Sequence, residues 1–176
     1  AVDRLTTELD VRTISEILHS LCERLSLDDA LSSKEVCAEF SSRAGAVERL
    51  CTLLIECDEP DISGSCCMLL GNLASSDVNE HASQTKQRLR DAGGLRSVST
   101  QLLSSNHDVL FYAVGACMNC CDNMQDVATL QEAGAVARLV QLSKESEDAQ
   151  LAAYATGCVQ NIQMAIGHAA TQRMIS

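Results

Sequence analysis

Aromatic side chains are nearly missing from this chain: Phe40, Phe111, Tyr112 and Tyr154 are all it has, with no tryptophan. Breakers are scarce too, with one proline and nine glycines among 176 residues. A β-sandwich draws on aromatic and β-branched residues, so this composition disfavours one. Leu, Ala, Met and Cys instead suit long, closely packed helices. No apolar run approaches the ~20 residues needed to span a bilayer, so no membrane insertion is expected. Basic residues are few: 13 Lys and Arg stand against 24 Asp and Glu, a formal net charge of -11. Such a surface repels phosphate, which argues against nucleic acid and anionic lipid as partners. It would attract a protein with a basic segment, or it serves solubility alone. Hydrophobic residues still make up 46%, enough for a continuous core and against disorder.

Cysteine is abundant, with ten residues. Cys66 and Cys67 are adjacent, as are Cys120 and Cys121, and most of the ten lie in apolar stretches. Disulfide frameworks of small secreted proteins lie in loop-rich sequences, so reduced thiols are expected here. That points to an intracellular, reducing compartment: cytosol, nucleus or organelle interior. The start, Ala1-Val2-Asp3-Arg4, lacks the basic-then-apolar pattern of a signal peptide. It is also not Met, as expected of a processed chain or a piece of a longer one.

One short string recurs. Ala44-Gly45-Ala46-Val47, Ala92-Gly93-Gly94-Leu95 and Ala133-Gly134-Ala135-Val136 each precede another apolar residue, Leu50, Val98 or Leu139. The spacings are 92 − 44 = 48 and 133 − 92 = 41 residues, close to the period of helical solenoid repeats. Asn72, Asn119 and Asn161 follow the Ala of each copy by 28, 27 and 28 residues. Relative to each Asn, the residues at −10 (Ile62, Val109, Leu151), −6 (Cys66, Ala113, Ala155), −2 (Leu70, Cys117, Val159) and +1 (Leu73, Cys120, Ile162) are all apolar. These offsets share one side of a 3.6-residue helix, which predicts the buried face.

Each unit therefore reads as a first helix ending at the Ala-Gly corner and a second helix over Ala46–Glu56, Leu95–Leu103 or Ala135–Ser143. A polar turn and a third helix through the Asn complete it. Asp61, Asp108 and Asp148 stand where N-caps are expected. Val11–Leu25 has the spacing of an amphipathic helix, either the last helix of an earlier repeat or a cap. Ser26–Arg43 reads as a helix leading into the first clear repeat, Asp77–Ser83 as an insertion, and Gly167–Ser176 as the first helix of a further repeat.

Ala-Gly-(Gly/Ala)-(Val/Leu)-x-x-(Leu/Val), an acidic turn and a small-residue helix ending Leu70-Gly71-Asn72-Leu73 resemble the armadillo repeat. The resemblance covers roughly two thirds of the chain. It implies an all-α, right-handed solenoid of about three repeats with helical flanks. The expected division of this single armadillo-like domain is 1–43 flanking helices, 44–76, 77–123 and 124–165 repeats, and 166–176 the start of a further helix or repeat.

The resemblance also implies that Asn72, Asn119 and Asn161 project into a groove lined by the third helices. There they either pair with an extended peptide backbone or bond neighbouring helices to organise the stack. One helical turn before each Asn, where importin-α-type repeats carry Trp, stand Met68, Gly115 and Gly157. Glycine there either widens the groove or lets another helix approach. Ser65, Tyr112 and Tyr154 share the position seven before the Asn, the tyrosines serving either partner contact or packing. The acidic turns Asp58-Glu59-Asp61 and Glu145-Glu147-Asp148 offer an edge for a basic partner or a solvated rim.

No catalytic arrangement, cofactor motif or metal-ligand pattern is evident. Cys117, Cys120 and Cys121 share a helix, but their spacing is not a usual zinc pattern, and Cys66, Cys117 and Cys120 fall on core positions where a thiol serves as a small hydrophobe. The expected function is a non-catalytic adaptor or scaffold binding an extended or helical segment of a partner protein along the third-helix groove. The alternative is a fixed subunit of a large, possibly organellar, complex, docking by its ends or convex face.

Overall fold

The computed structural model describes residues 1–5, 10–26 and 30–175. Part of the helix expected over Ser26–Arg43 and the last residue of the 166–176 segment lie outside the described residues. The described chain is helical throughout: α1 (Val2–Leu5), α2 (Val11–Ser26), α3 (Ala30–Ser42), α4 (Ala46–Glu56), α5 (Pro60–Ala74), α6 (Ala82–Asp91), α7 (Gly94–Thr100), α8 (His107–Cys120), α9 (Met124–Glu132), α10 (Ala135–Glu145) and α11 (Ala149–Ile175). α4 and α5 pack together, α6–α8 and α9–α11 follow as triplets, and α3 packs against α2. α5, α8 and α11 lie side by side, and α2 lies against the outer flank of α5. α4 and α7 form a second row. This is an α-solenoid of the armadillo type.

The Ala-Gly corners work as the sequence predicts. Gly45, Gly93 and Gly134 adopt φ of 80°, 66° and 71°, left-handed values that a side chain disfavours. A Cβ at any of the three would meet nothing within 4 Å, so glycine serves the backbone there and not the packing. The predicted faces of α5, α8 and α11 are buried, except that Val159 is only half-buried. No described helix stacks on the far side of α11 to cover it.

Several boundaries differ from the sequence reading; α10, for one, runs on to Glu145, two residues past the expected Ser143. Asp61 lies inside the first turn of α5, because Pro60 takes the first helical position and Glu59 becomes the cap. Asp108 lies inside α8, where the Asn106 side chain accepts from Val109 N at 3.1 Å and caps the helix. Asp148 does cap α11, accepting from Gln150 N and Leu151 N at 2.8 and 3.0 Å. The second helix of the middle triplet starts at Gly94 and tightens into a 3₁₀ turn at Gln101–Leu103. The helix read over 167–176 has no start of its own: α11 runs unbroken through Gly167. A lone glycine costs a helix only about 1 kcal/mol.

Two arginines on α6 tie the middle triplet to both neighbours. Arg88 reaches back, donating to both Glu48 carboxylate oxygens at 3.0 and 2.7 Å and to Phe40 O and Arg43 O. Arg90 reaches forward, gripping Asp126 through two hydrogen bonds of 2.9 and 3.0 Å. The side chains of Arg90 and Asp126 are 12% and 3% exposed. Carbonyls at one repeat position, Leu54 and Leu102, accept across the joints from Gln101 and Arg138, each at 3.2 Å.

None of the ten cysteines is in a disulfide, and all but Cys57 are buried. Cys117, Cys120 and Cys121 are 0%, 4% and 1% exposed. Burial pushes the Cys121 thiol up to about 12, with Asp126 and Asp122 adding to the effect. Reactive thiols need the opposite, an exposed and electropositive setting, so these act as core packing. Among the described residues no cluster of His, Cys, Asp or Glu is placed to hold a metal ion, and no helix is long and apolar enough to cross a membrane.

Candidate functional site

The asparagine row sits on the exposed side of α5, α8 and α11, half-buried at all three positions. Its bonding follows from where helices run out of donors. The last carbonyls of an α-helix have no partner within the helix. Gly71 lies in the last turn of α5, where Ser75 N turns to Asn72 O instead. Met118 lies in the last turn of α8, where Asp122 N is taken by Asp126 Oδ2 at 3.1 Å. Asn119 Nδ2 donates to Gly71 O at 3.1 Å, and Asn161 Nδ2 donates to Met118 O at 2.8 Å. Both acceptors stand one residue before the preceding Asn. Each amide thus caps the third helix of the repeat before it. Asn72 instead donates within its own helix, to Met68 O at 2.9 Å.

Side chains of neighbouring helices lie over the glycines beside this row. A Cβ on Gly157 would lie 2.7 Å from Met118 Sδ, and one on Gly115 would lie 3.7 Å from the Tyr154 ring. Tyr112 sits the same way over Gly64, at 3.9 Å. Both tyrosines therefore pack partly on the preceding helix. Phe111 joins them, its ring centroid 5.2 Å from Tyr154 and 5.5 Å from Tyr112. Phe111 escaped the sequence reading because its equivalents, Gly64 and Ala153, give no pattern.

Three pockets run along this face and share walls. The first, of about 620 Å³ between α2, α5 and α8, includes Ser65, Tyr112 and the carboxylates Glu16, Glu23, Asp61 and Asp108, and no Lys or Arg. Glu16 is paired with Arg12 and Glu23 with His19, at 3.0 and 3.4 Å. The middle pocket, of about 190 Å³, shares Met68 and Tyr112 with the first; Phe111, Tyr154, Asn72 and Gly115 are among the residues around it. The third, of about 310 Å³, shares Met118 and Asn119 with the middle one and reaches Asn161, Asp77, Asp122 and Lys86. Lys86 Nζ lies 3.0 Å from Asp122 Oδ2. Burial alone would raise the Asp122 carboxyl, but the hydrogen bond and charge of Lys86, with the charge of Arg90, hold it below the ordinary range. Of the sequence-predicted site residues only Gly157 borders none of these three pockets. The acidic wall supplied by α2 was missed, because Val11–Leu25 stands out by its apolar face, as the last helix of an earlier repeat or a cap, and its carboxylates follow no repeat position.

No protein-family profile matches the sequence, and no curated protein matches it. Solved structures do. A designed armadillo repeat protein in complex with the peptide (KR)4 is 24% identical, with a TM-score of 0.68, over 94% of this chain and 67% of that one. A computationally designed armadillo repeat protein for modular peptide recognition is 23% identical, with a TM-score of 0.69, over 94% and 68%. A third designed armadillo repeat protein is 23% identical, with a TM-score of 0.68, over 91% and 62%. The chain spans 62% to 68% of the length of these structures. The fold is that of an armadillo repeat solenoid.

Proposed function

We propose that the chain is a non-catalytic protein-interaction module that holds an extended or helical segment of a partner along α5, α8 and α11. The observation that carries this reading is the continuity of the three pockets past Asn72, Asn119 and Asn161. Each amide spends one N–H on a helix carbonyl and keeps a second N–H and its oxygen, which together suit a peptide backbone. The carboxylates of the first pocket suit a basic segment, and a designed protein of the same fold was solved with the peptide (KR)4.

The test is fluorescence anisotropy with a labelled octapeptide of alternating Lys and Arg. Saturable binding that weakens with salt is expected. The double variant Asp61→Lys/Asp108→Lys is expected to lose at least about tenfold in affinity, as two repulsive contacts replace two attractive ones. Binding untouched by that reversal places the peptide elsewhere.

A second reading, a subunit docked by its other faces, draws on Ile55 and Leu103. They share a repeat position on the second-helix side and are 72% and 80% exposed. Ile55→Ser/Leu103→Ser that releases a partner from a native complex, with peptide binding intact, would favour it.

A further inference from the structure

The three pockets differ in chemistry, and the difference specifies a ligand more closely than net charge does. The middle pocket holds about 190 Å³, less than the ~300–1,000 Å³ of a typical small-molecule site and of the scale of one side chain. Around it stand Met68, Phe111, Tyr112, Met118 and Tyr154, with the amides of Asn72 and Asn119, and no carboxylate or cation. A charged side chain there would be desolvated without a partner, whereas an apolar one would exchange water for thioether and ring contacts. The adjoining first pocket is the reverse: carboxylates and no Lys or Arg. At the far end, Lys86, the only Lys or Arg of that pocket, is already paired with Asp122.

We propose that the groove reads a partner segment bearing one large apolar side chain with Lys or Arg beside it, the apolar side chain entering the pocket between Met68 and Met118 and the cation lying against Asp61 and Asp108. This rests on the groove reading above and deepens it. Charge complementarity sets the basic flank. The neutral, ring-lined pocket sets the apolar anchor.

The test uses the full chain and three labelled octapeptides: alternating Lys and Arg; the same with Phe at the fourth position; and that Phe peptide with every Lys and Arg replaced by Ser. Burying a Phe side chain is expected to make the second bind roughly tenfold or more tighter than the first. The third is expected to bind more weakly than the second. Equal affinity for the first two overturns the anchor while leaving the groove reading standing. No binding by any of the three overturns both. Tyr112 walls both pockets, so Tyr112→Ala is expected to cost the Phe peptide several-fold more affinity than it costs the all-basic peptide; a Phe advantage that survives it unchanged overturns the proposal. A readout on the unaltered protein guards against an unfolded variant. Benzoylphenylalanine at the fourth position, irradiated in the complex, is expected to label Met68 or Met118, and labelling outside the middle pocket overturns the proposal.

Discussion

The two joints of the stack share one use of glycine and differ in another. Between α5 and α8, a Cβ on Gly71 would lie 3.2 Å from the Ala116 Cα and 3.4 Å from its N, so the two backbones nearly touch. Between α8 and α11, Gly115 and Gly157 face side chains, the Tyr154 ring and Met118 Sδ. At Gly71 the first joint leaves no room for a side chain, while at Gly64 it faces the Tyr112 ring as Gly115 faces Tyr154. The second places a ring and a thioether at the surface, where they wall the middle pocket. Small residues at different repeat positions, one before the Asn in α5 and four before it in α8 and α11, thus give close backbone contact in one place and a lined depression in the next.

The polar ties differ as well, and they give the largest expected effect. Asp126→Ala removes the buried, doubly bonded carboxylate of a guanidinium that is itself largely buried, leaving it the half-exposed Asp122 alone. A cost of about 3–5 kcal/mol is expected, read as a fall in Tm on the order of 10 °C. Its counterpart in the other joint, Glu48→Ala, loosens Arg88 from a carboxylate 43% exposed, and less than about 1 kcal/mol is expected. Equal losses would refute the view that the second joint depends more on charge.

The glycines come next. Gly71→Leu drives a side chain into the Ala116 backbone and should cost about 1–3 kcal/mol in denaturant titration. Gly115→Ala places its Cβ at ordinary contact distance from Tyr154. A gain of up to about 1 kcal/mol from helix propensity is expected. A destabilising Gly115→Ala would mean that the Tyr154 ring cannot give way.

The asparagines separate on a finer scale. Asn161→Ala strands Met118 O and should cost about 1–2 kcal/mol, whereas Asn72→Ala loses only a bond within its own helix and should cost under about 0.5 kcal/mol. The smallest effect is a pH dependence. The hydrogen bond from Arg88 holds the Glu48 carboxyl below its ordinary value of 4.5. A carboxyl depressed in the folded state stabilises fully above its unfolded value, and that contribution is lost as pH falls through the folded one. The Tm gap between wild type and Glu48→Gln should therefore be widest near neutrality and close as pH drops below 4.5.

Much of the fold is legible in the sequence because periodicity records burial and glycine records backbone. The three Ala-Gly corners and the apolar offsets around each Asn required nothing else. Asp61 and Asp108 misled as caps because Pro60 and Asn106 compete for the same role within two residues. Gly167 misled because a glycine ends a helix only when the chain turns there, and in α11 it does not. The site is less legible. Tyr112 and Tyr154 stand out by sharing a position. Phe111, the carboxylates of α2, and the carbonyls that Asn119 and Asn161 cap depend on pairs of residues tens of positions apart, which no repeat pattern marks.

The cross-joint carbonyl bonds have a mechanical consequence. Asn119 to Gly71 and Asn161 to Met118 tie the third-helix side of the two joints. Gln101 to Leu54 and Arg138 to Leu102 tie the second-helix side. Bending the arc one way stretches the first set, and bending it the other way stretches the second. Hydrogen bonds tolerate little stretch before they weaken, so the stack should behave as a stiff arc and not as a spring, its curvature set before any ligand arrives.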